Sequence, residues 1–117
     1  MSLGSEGEEA AARHLASLGY TVLARRFRTR RGEIDLVAQD GDTLVFVEVK
    51  SRSAAGFGRP AEAVDARKRS RLRRAAEVYL LRHGGGDRPC RFDVLEVFRS
   101  PRGDLHCALI RDAFEEA

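Results

Sequence analysis

A chain of 117 residues with 43% hydrophobic and 33% charged side chains suits one domain, residues 1–117, around one core. No apolar run approaches the roughly 20 residues needed to span a bilayer. The acidic, glycine-containing stretch 1–9 also lacks the apolar core of a signal peptide. No membrane role is therefore expected, and the cytoplasm is the expected location. In chain order, residues 5–18 read as a first helix: Ser5-Glu6-Gly7-Glu8 matches a capping box, Ala11, Leu15 and Leu18 form an apolar stripe, and Gly19 is a natural stop. Residues 20–27 predict a strand and 29–32 a basic turn. Residues 33–39 and 43–52 predict two more strands joined at Asp40-Gly41-Asp42, a strong hairpin signal. The segment 53–60, with Ser, Gly and Pro, reads as a mobile loop. A long helix is expected over about 61–83, with Val64, Leu72, Ala75, Ala76, Tyr79 and Leu80 on its apolar side and Gly84-Gly85-Gly86 after it. Residues 91–98 and 105–110 predict two last strands, separated by Ser100-Pro101-Arg102-Gly103. Three strands with short turns form an antiparallel meander, and the second helix acts as a crossover to a further strand. The expected architecture is α/β, an αβββαββ order with a mixed sheet flanked by helices.

The apolar runs Gly32-Glu33-Ile34-Asp35-Leu36-Val37 and Val45-Phe46-Val47-Glu48-Val49-Lys50 contain three charges that demand explanation: Asp35, Glu48 and Lys50. A charge inside an apolar strand is costly unless it is paired, solvated or bound to a metal. Residues two apart on a strand share a face. Glu48 and Lys50 therefore point the same way as Leu44 and Phe46, while Val45, Val47 and Val49 face the other side. On the partner strand, Glu33, Asp35 and Val37 are expected on one face and Ile34, Leu36 and Ala38 on the other. A two-residue turn at Gly41-Asp42 pairs Asp40 with Thr43 and sets Asp35 opposite Glu48 and Glu33 opposite Lys50; a turn at Asp40-Gly41 slides the register but keeps Asp35, Glu48 and Lys50 on one surface, whereas a three-residue loop without a bulge would split them. Cross-strand Cβ atoms then lie about 4.5–5.5 Å apart, where two carboxylates repel unless a cation lies between them. A hard divalent ion with oxygen ligands, Mg²⁺ with Mn²⁺ as a substitute, resolves the conflict, with the Val49 carbonyl as an added ligand. Lys50 is placed to orient or deprotonate an attacking water or to stabilise phosphate charge. The plainer alternative is a salt-bridge ladder, with Glu33 on Lys50 and Glu48 on an Arg. Glu33 reads as a structural partner rather than a ligand.

Charge is lopsided although the net value is only +3. Arg25, Arg26, Arg28, Arg30 and Arg31 crowd one segment; Arg67, Lys68, Arg69, Arg71, Arg73 and Arg74 crowd another. Two such clusters suggest a polyanion; an arginine-rich chain decorating its solvated faces is the alternative. Only Lys50 and Lys68 are lysines among the 21 basic residues, which hints that a compact ammonium is wanted at those two places. Lys68 interrupts the apolar side of the second helix, and it either snorkels or reaches a phosphate. Glu8 either serves the capping box or turns from the first helix toward the metal. Cys90 and Cys107 fit no zinc spacing and read as buried free thiols.

The pattern Gly32-x-x-Asp35, then Glu48-x-Lys50, resembles the PD-(D/E)XK, restriction-endonuclease-like superfamily, with Ile34-Asp35 in place of the usual Pro-Asp. Glu8 on the first helix resembles the arrangement in archaeal Holliday-junction resolvases. The whole chain is similar to the small bacterial YraN-like proteins (UPF0102). That resemblance runs through Gly7-Glu8-x-x-Ala11, Gly19-Tyr20, Gly32-Glu33-Ile34-Asp35-Leu36, Phe46-Val47-Glu48-Val49-Lys50-x-Arg52, Lys68 and Arg91-Phe92-Asp93-Val94. The resemblance implies a restriction-endonuclease-like core and a Mg²⁺-dependent endonuclease acting on structured or branched DNA in recombination or repair. Asp35, Glu48, Lys50 and Glu8 are the expected catalytic set, with Asp35, Glu48 and Val49 on the metal. Arg28, Arg30, Arg31, Arg52, Lys68 and Arg71 are the expected phosphate contacts. Affinity should then fall by about 0.9 log units per phosphate contact per log unit of salt. A non-catalytic module for DNA or RNA on the same fold is the alternative, and cleavage of both strands would call for a homodimer.

Overall fold

The computed structural model describes residues 4–52, 66–84 and 87–113. The elements are α1 (Gly4–Ser17), β1 (Thr21–Arg28), β2 (Glu33–Asp40), β3 (Thr43–Arg52), α2 (Ala66–His83), β4 (Cys90–Arg99) and β5 (Leu105–Ile110). They form one five-stranded sheet in the order β1-β2-β3-β4-β5. The first three strands are an antiparallel meander, β4 runs parallel to β3, and β5 returns antiparallel to β4. A parallel neighbour requires a crossover, and α2 lies in it. The expected αβββαββ order is the observed one. The predicted loop 53–60, the helix segment 61–65 with Val64, and the Arg52 side chain lie outside the described residues.

α1 covers one face of the sheet and α2 the other. Ala11, Leu15 and Tyr20 pack with Leu36, Ala38, Val45, Val47, Leu95 and Val97. Leu72, Ala75, Ala76 and Tyr79 of α2 pack with Ile34, Val37, Leu44, Phe46, Phe92 and Val94. The half-buried free thiols Cys90 and Cys107 belong to opposite faces, which rules out a bond between them. Among the described residues no helix is long and apolar enough to cross a membrane.

The end of α1 corrects one expectation. Leu18 is 49% exposed rather than part of the stripe. Gly19, at φ +90°, closes a Schellman turn: its amide donates to the Ala16 carbonyl, and the Tyr20 amide donates to the Leu15 carbonyl. That turn swings Tyr20 back onto Leu15 and leaves Leu18 outside. The capping pattern expected at Ser5-Glu8 does not mark the helix start either: α1 starts at Gly4, so Ser5 already lies inside the helix. Glu8 is thereby left for another partner.

Candidate metal centre and nucleic-acid interface

The β2–β3 ladder starts at Asp40↔Thr43, the register that a Gly41-Asp42 turn dictates, and Gly41 has φ +59°. It ends at Leu36↔Val47. Beyond that level β3 stays paired with β4 through Glu48↔Val94 and Lys50↔Glu96, while β2 stays paired with β1 through Phe27↔Ile34 and Arg28↔Glu33. The sheet therefore forks between β2 and β3. Asp35 stands in the fork, and its Oδ2 accepts the Val49 amide at 2.8 Å in place of a backbone carbonyl. Asp35 and Glu48 thus face each other across an opening rather than as a ladder pair.

Face alternation fails at the same level. Ile34 packs on the α2 side together with Val37, not opposite it as strict period-two reading requires. In β1 both Ala24 and Phe27 turn to that side, with Arg25 and Arg26 both exposed between them and Arg26 at φ +52°. The two strands change faces together while staying paired with each other, and β2 and β3 share no ladder pairs beyond Leu36↔Val47. On β3 the expected alternation holds: Leu44 and Phe46 face α2, while Val45, Val47 and Val49 face α1.

α2 closes the cleft from above. Gly32 fixes how near it comes: a Cβ there would lie 2.2 Å from the Arg71 carbonyl oxygen. Only glycine permits this contact, a need that the spacing Gly32-x-x-Asp35 carries but does not explain. The resulting cleft, about 150 Å³, is lined by Glu33, Asp35, Glu48, Lys68, Arg71 and Leu72. Glu48 is 5% exposed at its side chain, and its Oε2 lies 2.7 Å from Lys68 Nζ and 3.7 Å from Lys50 Nζ. Burial pushes the Asp35 carboxyl up to about 7, with the adjacent Glu48 charge adding to the effect and the Val49 amide opposing it. Burial pushes the Lys50 ammonium down, as does Lys68 beside it, against the pull of Glu48. For Lys68 burial works in the same sense, but Glu48, Lys50 and Asp35 together outweigh it and raise the value.

Asp35, Glu48, Lys50, Lys68 and Arg71 are therefore brought together. Glu8 is held elsewhere, with Arg26 Nε donating to its Oε1 at 2.7 Å. Glu33 takes Arg28 at 3.4 Å rather than Lys50. Arg30 and Arg31 are exposed on a turn that Thr29 stiffens: its Oγ accepts the amides of Arg31 and Gly32 at 3.1 and 3.0 Å. That bracing by Thr29 was not anticipated, although a Thr three residues before a turn glycine is a readable signal.

Among the described residues no three His, Cys, Asp or Glu side chains gather in a metal-binding group. The donor set is two carboxylates, close enough for a protonated Asp35 to hydrogen-bond Glu48. A strand residue sends its N–H and C=O to the same side, so the Val49 carbonyl also faces the fork. Three hard oxygens around a site that carries a proton near neutral pH fit an oxygen-seeking divalent cation, which would take that proton's place.

A mixed five-stranded sheet with a helix on each face, forked at an acidic and lysine-bearing cleft, is the restriction-endonuclease-like class of α/β fold. Within that class the family is also clear. The model described as "Uncharacterised protein family UPF0102" matches residues 7–97, and the chain belongs to this YraN-like family. It is 54% identical over 112 residues to a UPF0102 protein of Symbiobacterium thermophilum, covering 96% of this chain and 95% of the relative. It is 50% identical over 113 residues to one of Frankia casuarinae (97% and 96% covered), and 42% identical over 113 residues to one of Caldicellulosiruptor saccharolyticus (96% of each).

Proposed function

We propose that this protein is a divalent-metal-dependent endonuclease that hydrolyses phosphodiester bonds in structured or branched DNA. The observation that carries the reading is the Asp35–Glu48 pair in the β2–β3 fork, with Lys50 and Lys68 on the same Glu48 oxygen. A structural charge pair would be of opposite sign, whereas this one is alike and partly dehydrated. Mg²⁺ held by Asp35, Glu48 and the Val49 carbonyl would supply a Lewis acid and lower the pKa of a bound water. Lys50, whose ammonium burial and Lys68 both disfavour, is suited to accept a proton from the attacking water. Lys68 and Arg71 line the cleft and Arg28, Arg30 and Arg31 are exposed, which supports these five as the side chains that would contact a phosphate backbone.

The test is cleavage of labelled four-way junctions, flaps and plain duplex with Mg²⁺, Mn²⁺ or EDTA. Metal-dependent nicking is expected, reduced about a hundredfold or more in Asp35→Ala and Lys50→Ala. Salt-sensitive binding with no cleavage of any substrate by any metal would sink the enzyme reading in favour of a non-catalytic nucleic-acid module. Competition with a matched RNA duplex decides the sugar.

A further inference from the structure

The two lysines of this arginine-rich chain converge on one oxygen. Lys50 arrives from β3 and Lys68 from the start of α2, at 3.7 and 2.7 Å from Glu48 Oε2. Lys68 makes the closer contact and is the more exposed partner, its side chain 44% exposed against 22% for Lys50. It also sits one turn before Arg71, so both project over the same cleft. An ammonium at 2.7 Å sits on the carboxylate that a divalent cation held by Asp35 and Glu48 would also use. Two cations cannot share it without strong repulsion in so poorly solvated a place.

We infer that Lys68 is an exchangeable counter-ion: it neutralises Glu48 until a divalent cation binds, and is then displaced toward the mouth of the cleft, where it contacts the phosphate of the nucleic acid. This rests on the reading of the cleft as a divalent-cation site. A lysine suits the task and an arginine does not. The ammonium makes a point contact that leaves easily, whereas a guanidinium would grip the carboxylate with two parallel bonds. The exchange makes nucleic-acid contact by Lys68 conditional on the metal, and α2 becomes the element that reports metal occupancy to the substrate side.

The experiment is Mn²⁺ binding to the full chain without nucleic acid, by the paramagnetic signal of free Mn²⁺, for wild type, Lys68→Met, Lys68→Arg and Asp35→Ala. Lys68→Met is expected to bind about tenfold or more tighter than wild type, and Lys68→Arg weaker. Asp35→Ala should not bind. Because Lys68→Arg keeps charge and approximate length, the order Met, Lys, Arg cannot arise from misfolding. In a second measurement, junction affinity should fall in Lys68→Met with Ca²⁺ present and stay unchanged in EDTA. Equal or weaker Mn²⁺ binding by Lys68→Met, with Asp35→Ala abolishing it, overturns the exchange and leaves the metal site standing. Absence of Mn²⁺ binding in both wild type and Lys68→Met overturns the exchange and the metal site together.

Discussion

Among the described residues, two groups of ionisable side chains are withdrawn from water at opposite ends of β2, and they are built on opposite principles. At the Asp40 end, Arg91 is 12% exposed and is surrounded by acceptors. Its Nε donates to Asp93 Oδ1 at 2.9 Å, Nη1 to Asp40 at 3.1 Å and Nη2 to the Tyr20 hydroxyl at 2.5 Å. Asp93, fully buried, also accepts the Asp112 amide at 2.9 Å. Burial would lower the Arg91 pKa, but Asp93 and Asp40 more than reverse that. At the Asp35 end, two carboxylates meet, and one is held up to about 7. The first group is complete as it stands and ties the turn before β1, β2, β4 and the chain after β5 together. The second sets two carboxylates beside Lys50 and Lys68 and, on the proposed function, is incomplete until a divalent cation takes the place of Lys68. Like charges sharing one site, rather than burial alone, are what point to function.

The largest expected effect belongs to the complete group. Arg91→Ala leaves Asp93 buried without its counter-charge and should cost about 3–5 kcal/mol in urea denaturation, with or without Mg²⁺. A loss below 1 kcal/mol would mean that water reaches Asp93 and that the contrast between the two ends is smaller than the geometry says.

Removing a charge at the incomplete end should do the reverse. Asp35→Asn keeps an oxygen for the Val49 amide and deletes the repulsion with Glu48. At pH 8 without metal it should raise stability by about 2 kcal/mol, roughly half of what a shift from 3.8 to about 7 represents. The same variant should lose any stabilisation by Mg²⁺. Destabilisation in metal-free buffer would show that Asp35 is held by favourable contacts and is not poised for a cation.

Much of this was legible in the sequence, and what was not has a physical cause. Element order, the β2–β3 hairpin and the faces of β3 follow from hairpin chemistry and period-two burial, both local properties; of the two two-residue turns that the sequence allowed, the structure has the one that pairs Asp40 with Thr43. The fork is not local. It coincides with the change of faces in β1 and β2 near Arg26 and Asp35 and with the close approach of α2 to Gly32, none of which a local pattern fixes. A register count carried past Leu36↔Val47 names the right residues and the wrong relation between them, an opening in place of a ladder. Lys68 was visible as an interruption of an apolar side, but its partner lies 20 positions away and depends on where α2 docks. Glu8 shows the opposite error. A four-residue capping pattern suggested a local use, yet the helix starts before it and its partner is Arg26 across the chain.

The smallest effect is also the most specific to the incomplete end. In the folded, metal-free protein Asp35 holds its proton up to about pH 7, against 3.8 for an ordinary aspartate. Between those values the folded state binds more protons than the unfolded one, so the stability that Asp35 contributes is present below pH 4 and is lost as pH rises through 7. Mg²⁺ must displace that proton. Its apparent affinity should therefore fall by about tenfold for each pH unit below 7 and level off above 8. Thermal unfolding with and without 10-fold excess Mg²⁺ over its dissociation constant at pH 8, repeated at pH 6 with the same Mg²⁺ concentration, reads this directly, since only binding to the folded state raises the midpoint. A Mg²⁺ shift clearly smaller at pH 6 than at pH 8 in wild type, and absent at both in Asp35→Asn, ties proton and cation to one oxygen. An Mg²⁺ shift of equal size at both pH values would mean that the cation binds elsewhere, and the Asp35 end would then join the Arg91 end as structure alone.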